Sequence, residues 1–424
     1  VTATRLSVDG ERLYESLRVL GDIGAYDADD GLRGVCRLAL SAEDGEGRRH
    51  VVARMREAGL DVTVDRIGNV FGRRPGKDPS LAPVMIGSHI DSVATAGRFD
   101  GCLGVLGGLE VVATLNGAGR ETLRPIVVAF FTEEEGARFG TDMLGSAVAT
   151  GRIPLEHAYA LQDRGGKVVR EELAAIGFTG EASERLAPPH VYLECHIEQG
   201  PVLRAAGRDI GVVAGVQAIC WHELTITGKS AHAGTTPMSI RADAGLAAAR
   251  INVALREMTS CGRFGANLRA TMGVIAPYPG LVNVVPGRVI ASVDIRNPED
   301  DILVRAEAEV VELYAEVAAA EHVAIDYRRT ARTNRVRFDA KVQERVAAAA
   351  TARGLSHESI VSGAGHDAQE MAAHCPAGMV FVPGEYDGIS HNPREWSTRE
   401  QCANGVNVLL DVALAFADEP PEAR

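Results

Sequence analysis

Apolar residues come in short unbroken runs over the first two hundred positions and again over the last ninety. The runs "PVMIG" at 83–87, "PIVVAFF" at 125–131 and "VYLECHI" at 191–197 have the length and continuity of strands buried on both faces. Helical patterns separate them: amphipathic "EGRRHVVARMREAGL" at 46–60 and small-residue "GCLGVLGGLEVVATL" at 101–115. Strand-like "DVTVDRIGNVFG" follows the first of these helices. Apolar strands alternating with helices predict an α/β fold with a mostly parallel sheet.

From about Val213 the pattern changes. "CWHELTITG", "LRATMGVI", "GRVIASVDIRN" and "HVAIDYRRT" read as strands; "SIRADAGLAAARINVALREM" and "PEDDILVRAEAEVVELYAEVAAAE" read as helices. Their order, β-α-β-β-α-β, predicts a separate α+β unit built on one antiparallel sheet. The alternation then resumes with "KVQERVAAAATARG", "HDAQEMAAH", "GMVFVPG" and "NGVNVLLDVALAFADE". The expected organisation is a discontinuous domain, residues 1–212 and 333–424, interrupted by an inserted domain at 213–332.

The chain has 424 residues, enough for two domains. With 44 Lys and Arg against 57 Asp and Glu, its net charge is -13. That balance argues against nucleic acid or an anionic membrane as a main partner, while a local basic pocket could hold a small anion. The start, "VTATRLSVDGERLYESL", lacks an apolar core of signal-peptide length, and no window approaches a spanning helix of about 20 apolar residues. Seven scattered cysteines without CxxC spacing read as reduced thiols, so a cytoplasmic protein is expected. Cys195, although beside His196, reads as a small buried apolar residue.

In open α/β sheets, ligands bind beyond the carboxyl ends of strands. His89, Asp91 and Asp100 follow one predicted strand, Glu133, Glu134 and Glu135 a second, and His196 ends a third. Each has a bland reading, since charged residues mostly face water. Their joint appearance at strand ends points instead to a metal or proton-transfer site. Carboxylate and imidazole donors together suit zinc, manganese, cobalt or nickel, and a carboxylate can bridge two such ions about 3.5–4 Å apart. Gly101, Gly104 and Gly107 imitate a dinucleotide fingerprint, but the spacing is GxxGxxG and acidic residues crowd the preceding loop; close helix packing explains them better.

The segments "GSHIDSVATAGRFDG", "FTEEEGARFG", "CHIEQGPVL", "GKSAHAGTTPM", "NVVPG", "DIRNP", "SGAGHDAQEMA" and "GISHNPREWS" resemble the M20-type amidohydrolases of the hydantoinase/carbamoylase group. That group comprises N-carbamoyl-L-amino acid hydrolases, β-ureidopropionases and allantoate amidohydrolases. The resemblance runs from about residue 10 to the C-terminus, and "HAGTTPM" with "HIEQGP" is specific to the group. It implies a di-metal catalytic domain with an inserted lid and dimerisation domain. His89 and His196 would bind one ion, Asp100 would bridge, and Glu135 with His391 would hold the second; zinc or manganese is expected, with cobalt or nickel as options. Asp91 would fix the His89 tautomer through its carboxylate. Glu134 would be the general base and acid, and Glu133 structural or solvated. His232 would stabilise the oxyanion. Gln199, His232, Asn283, Arg296, Gly363 and Ala364 would contact substrate.

Arg296 has the clearest physical case, because a guanidinium grips a carboxylate with two parallel hydrogen bonds. A surface ion pair at a strand end is its competing role. His366 and Asp367 open a helix, where Asp367 would act near the N-terminus as a cap. "GVQAICWHE" departs from the family, with Ile219, Cys220 and Trp221 in place of more polar residues, and Glu385 and Asp387 precede His391. The apolar change weakens the case for a strongly polar substrate such as allantoate. The implied reaction is hydrolysis of the carbamoyl C–N bond of an N-carbamoyl-L-amino acid, a small carboxylate, in a homodimer joined through the inserted domain. Allantoate, an N-acyl amino acid or a dipeptide is the alternative substrate, and a non-catalytic ligand-binding relative the remaining alternative.

Overall fold

The long apolar runs become central strands because only a sheet covered on both faces buries every side chain of such a run. The computed structural model describes residues 5–29 and 31–421; the ends of the expected 1–212 and 333–424 segments, residues 1–4 and 422–424, lie outside them. The described chain forms two compact units, one built from the segments up to Gly215 and from Arg337 on, the other from Val216–Val336.

The first unit carries a nine-stranded sheet. Across its centre the order is Ile210–Val216, Ala377–Val382, Val191–Ile197, Val84–His89, Ile126–Phe131, Val70–Arg74 and Asp61–Val64. The four strands from Ala377–Val382 to Ile126–Phe131 are parallel neighbours, while the flanking strands run antiparallel. Every residue of Val84–His89, Ile126–Phe131 and Val191–Ile197 is buried. Their registers, His89 opposite Phe131 and Phe381 opposite His196, bring the carboxyl ends to one edge.

The helix Cys102–Gly117 packs on these strands and on the helix Arg399–Ala417 at a distance that only glycine permits. A Cβ on Gly104 would lie 2.7 Å from Ser88 Cβ and 2.8 Å from the Cys195 carbonyl oxygen, and one on Gly107 would lie 2.8 Å from Val406 Cγ2. Packing thus accounts for the glycine spacing without a nucleotide.

The second unit is an antiparallel sheet ordered Arg269–Thr271, Arg288–Asn297, Ala218–Thr227, Ala324–Thr333, with Ile275–Tyr278 also paired to Arg288–Asn297. Two helices, Ala244–Ser260 and Asp300–Glu321, share its core with Leu224, Ile226, Val289 and Val293. Burial alternates strictly along Arg288–Asn297, as a half-covered sheet requires.

Two expectations shift. The boundaries fall at 215/216 and 336/337 rather than 212/213 and 332/333. Val213 lies inside the strand Ile210–Val216, paired with Met379, so the inserted unit cannot begin there. The single strand expected over 268–275 is two strands, because one extra residue intervenes. Thr271 faces Asp294 and Ile275 faces Ala291, four steps on one strand against three on the other.

Candidate active site

The three strand ends bring together the residues that the sequence scatters. His89 closes Val84–His89, Glu133–Glu135 follow Ile126–Phe131, and His196 lies near the end of Val191–Ile197. Asp100 comes from the loop before Cys102–Gly117, and His391 from a loop after Ala377–Val382.

Asp100 is the centre. Its Oδ1 lies 3.5 Å from His89 Nε2 and 3.1 Å from His196 Nε2, while its Oδ2 lies 3.6 Å from His391 Nε2. His391 Nε2 is 3.1 Å from Glu135 Oε2. Two donor groups therefore share one carboxylate: His89, His196 and Asp100, and Asp100, Glu135 and His391.

Both buried histidines present the same nitrogen. His89 Nδ1 is 3.0 Å from the Asp91 carbonyl oxygen and His196 Nδ1 is 2.8 Å from the Ile197 carbonyl oxygen. A carbonyl can only accept, so each Nδ1 carries the proton when the ring is neutral and each Nε2 keeps its lone pair. The His196 lone pair accepts the Gly101 N–H at 3.0 Å.

Asp91 departs from expectation. Its carbonyl, not its carboxylate, holds His89; the nearest carboxylate oxygen is 3.8 Å from Nδ1. The carboxylate instead faces the backbone N–H groups of Glu134 and Glu135 at 3.4 and 3.3 Å. Asp91 thus ties the first strand end to the second.

Glu134 lies with Oε2 3.4 Å from His89 Nε2. Burial first, then the neighbouring carboxylates, push its pKa well above the ordinary range against the opposing effect of His89. Burial disfavours protonated His89, but Glu134, Asp100 and Asp91 outweigh it and hold the pKa high. Burial also opposes ionisation of Asp100, yet His196 and His89 hold its pKa far below normal. Glu133 is structural rather than solvated: its Oε1 accepts the N–H groups of Phe139 and Arg138 at 2.7 and 3.2 Å.

The donor set fits divalent metal. Donor atoms around a tetrahedral ion with bonds of about 2.0–2.2 Å lie about 3.3–3.6 Å apart. The four ligand separations above span 3.1–3.6 Å. Glu135 Oε1 is also buried without a hydrogen-bond partner.

The substrate-contact expectations divide. Gln199 Nε2 donates to Asp100 Oδ2 at 2.7 Å, and its Oε1 is buried without a partner. The Ala364 N–H, expected to face substrate beside Gly363, donates to Ser362 Oγ at 3.1 Å. Asp367 does not cap its helix from outside, for the helix begins with it; its Oδ1 accepts the Ser146 hydroxyl at 2.6 Å. His366 packs edge-on against the His196 ring, with centroids 4.6 Å apart.

His232, Asn283 and Arg296 belong to the second unit. His232 pairs with Val284 on a short ladder, and the Ala233 N–H donates to the Asn283 carbonyl oxygen. His232 Nδ1 accepts the N–H groups of Gly234 and Thr235 at 3.0 and 3.2 Å, so the neutral ring carries its proton on Nε2. Arg296 donates to Asp294 from Nε at 3.0 Å and from an Nη at 2.7 Å, so its guanidinium already has one carboxylate. Cys220, His222 and Glu307 also gather donor atoms. There the Arg329 guanidinium satisfies Glu307 at 2.7 Å and the Tyr314 hydroxyl pairs with His222 Nδ1, closing a hydrogen-bond network.

Sequence reasoning misses Glu194 and Glu395. Glu194 accepts from Ser88 Oγ at 2.7 Å and from the Ala368 N–H at 3.0 Å, beneath His196. A lone glutamate inside the apolar run "YLECHI" is the signal that could have found it. Glu395 has none, sitting in a polar loop.

Fold and donor set together define the class: a metal-dependent hydrolase built on an α/β sheet. The chain belongs to the peptidase family M20/M25/M40, whose model matches residues 85–415. It is 42% identical over 415 residues to an N-carbamoyl-L-amino-acid amidohydrolase from Rhizobium meliloti, covering 97% of each chain. It is 33% identical over 389 residues to an allantoate amidohydrolase from Bacillus subtilis, covering 91% of this chain and 93% of that one. Among solved structures, a hydantoinase/carbamoylase-family amidase from Burkholderia vietnamiensis matches with a TM-score of 0.94 and 44% identity, over 99% of this chain and all of that one.

Proposed function

We propose that the protein hydrolyses the carbamoyl C–N bond of an N-carbamoyl-L-amino acid, consuming one water and releasing the amino acid, carbon dioxide and ammonia. The observation that carries this reading is the Asp100 carboxylate shared between two ligand groups, with Glu134 beside them. The identity to an N-carbamoyl-L-amino-acid amidohydrolase supports the substrate class.

His89, His196 and Asp100 would hold one divalent ion and Asp100, Glu135 and His391 a second, zinc or manganese. When bound, such ions acidify water and polarise a carbonyl oxygen. Glu134 takes the proton from the attacking water and delivers it to the leaving nitrogen. Its carboxylate lies beside the ligand His89, at 3.4 Å, within reach of both steps. His232 donates from Nε2 to the oxyanion, the tautomer that Gly234 and Thr235 favour. Arg296, whose planar guanidinium can grip a carboxylate with two parallel hydrogen bonds, would receive the substrate carboxylate.

The second unit would serve as lid and dimerisation domain. Its sheet ends on the short strands Arg269–Thr271 and Ile275–Tyr278, and an edge of that kind can pair with its twin across a two-fold axis. No helix among the described residues is long and apolar enough to cross a membrane. A cytoplasmic enzyme acting on a small molecule remains our reading.

The test is a panel of N-carbamoyl, N-acetyl and dipeptide forms of the same amino acids, together with allantoate. The metal-loaded protein should release ammonia and free amino acid from the carbamoyl forms with the highest kcat/KM. Preference for an acyl or dipeptide form, which yields no ammonia, would overturn the reading; preference for allantoate would assign the alternative substrate.

A further inference from the structure

The two ligand groups sit on elements far apart in sequence, and a single buried carboxylate fastens two of them together. Glu395 is 3% exposed. Its Oε1 accepts the backbone N–H groups of Phe99 at 2.9 Å and Asp100 at 3.1 Å. Its Oε2 lies 2.8 Å from Ser390 Oγ, which is also 2.9 Å from Asp100 Oδ2. Ser390 directly precedes His391. The same carboxylate thus grips the main chain of the shared ligand Asp100 and, through one hydroxyl, the loop of His391.

His391 needs such a grip. It stands at φ +55, a left-handed conformation that a non-glycine residue keeps only where its surroundings enforce it. Thr95 Oγ1 donates to its carbonyl at 3.1 Å, so the two loops meet on both sides of the residue. Gly97 makes room: a Cβ there would lie 2.5 Å from Glu395 Cβ and 2.6 Å from its Oε1. The aromatic pair Phe99 and Trp396, with centroids 5.7 Å apart, closes the junction from the adjoining positions.

We propose that Glu395 is a positioning residue that sets the separation of Asp100 and His391, and with it the affinity of the ion held by Asp100, Glu135 and His391. The other ion would depend on it less, because His89 and His196 are fixed by the sheet itself. This rests on the two-ion reading above. A ligand's hydrogen-bonded support typically contributes 10–100-fold in metal affinity.

The acceptor pattern makes charge and position separable. In Glu395→Gln the amide oxygen still accepts both N–H groups, and the amide nitrogen donates to Ser390 Oγ, whose hydrogen turns to Asp100 Oδ2. In Glu395→Ala all of these bonds go. Gly97→Ala keeps the carboxylate but pushes it off its partners.

The experiment titrates metal-stripped protein with cobalt, against a chromophoric chelator and by visible absorption, beside thermal melts of the stripped proteins. Wild type should bind two ions. Glu395→Gln should bind both within about threefold of wild type, the rescue that a positioning role requires. Glu395→Ala and Gly97→Ala should lose about 10–100-fold at the ion of Asp100, Glu135 and His391, and clearly less at the other, which shares Asp100 but keeps His89 and His196. Equal weakening of both ions, or no weakening in a folded Glu395→Ala or Gly97→Ala protein, would overturn the assignment. A Gln variant as poor as Ala would also overturn it, by assigning the effect to charge. If wild type binds one ion only, the two-ion reading itself fails, and it fails in the unmutated protein.

Discussion

Gly101 stands where the Asp100 loop turns into the helix Cys102–Gly117, at φ 64° and ψ −46°. A Cβ there would lie 2.4 Å from His89 Nε2 and 2.5 Å from its Cδ2 and Cε1. Ordinary carbon contacts lie at about 3.5–4.0 Å, so the ring or the helix would have to move by about 1 Å. The ring has little freedom, being 1% exposed and tied by Nδ1 to the Asp91 carbonyl. Gly101→Ala therefore combines two effects. Forcing a side chain onto this backbone costs about 1–3 kcal/mol, a fall of a few degrees in the melting temperature of the metal-stripped protein. Moving a ligand by about 1 Å exceeds the roughly 0.2 Å that a metal site tolerates, so metal affinity should fall by at least about 100-fold.

Gly117→Ala separates these effects from the generic consequences of adding a methyl group. It lies at the other end of the same helix, where a Cβ meets nothing within 4 Å. Alanine there should stabilise by about 0.5–1 kcal/mol and leave metal binding unchanged. The assay is chelator competition with zinc or cobalt, beside melts of the stripped proteins. A Gly101→Ala protein that binds metal as wild type does would refute the reasoning, whatever its stability.

Glu134→Gln should keep both metals and lower kcat by about 100-fold or more; a variant within a few-fold of wild type would move the proton-transfer role elsewhere. In the metal-free protein burial disfavours the charged His391 ring, but Glu135 and Asp100 overcome this and push its pKa up to about 9. The ring is then protonated near neutrality and must lose that proton as metal binds, so affinity should rise with pH until about 9 and then level off. Calorimetry in buffers of different ionisation enthalpy should register proton release at pH 7, and none would contradict the assignment. Arg296→Lys should raise KM by about tenfold, the loss of one charge-assisted hydrogen bond of about 1.5 kcal/mol, while amide analogues of the substrate lose little more than they already have; equal losses on acid and amide would argue against a carboxylate anchor. If His232 acts on the partner's site, inactive His232→Ala and Glu134→Gln chains should, after exchange, regain about a quarter of wild-type activity, whereas proven exchange without recovery would confine His232 to its own chain.

How far the fold and the site are legible in the sequence follows from how each signal is encoded. The central strands are buried on both faces, so they appear as largely apolar runs, and a histidine or acidic residue where such a run ends stands out against it. His89, His196 and the glutamates after Phe131 are legible on that ground alone. Asp100 is legible only as a member of the cluster that follows Val84–His89, and His391, in a polar loop, only through the family motif around it. The strand Ile210–Val216 is hidden for the opposite reason: "IGVVAGV" mixes glycine and valine with neither alternation nor length, so the sequence pattern puts the domain boundary inside it. Tertiary geometry then decides what a residue type cannot. Asp91 and Glu395 are both carboxylates near ligands, and the sequence offers the first as a partner of the His89 ring and passes over the second. Both hold backbone N–H groups instead, a role written in the path of the main chain and invisible in residue type. Ligands are constrained by chemistry to a few residue types, and they leave a mark in the sequence. The residues that hold those ligands in place are constrained only to reach a donor, so a loop carboxylate that fixes a metal site reads the same as one that merely faces water.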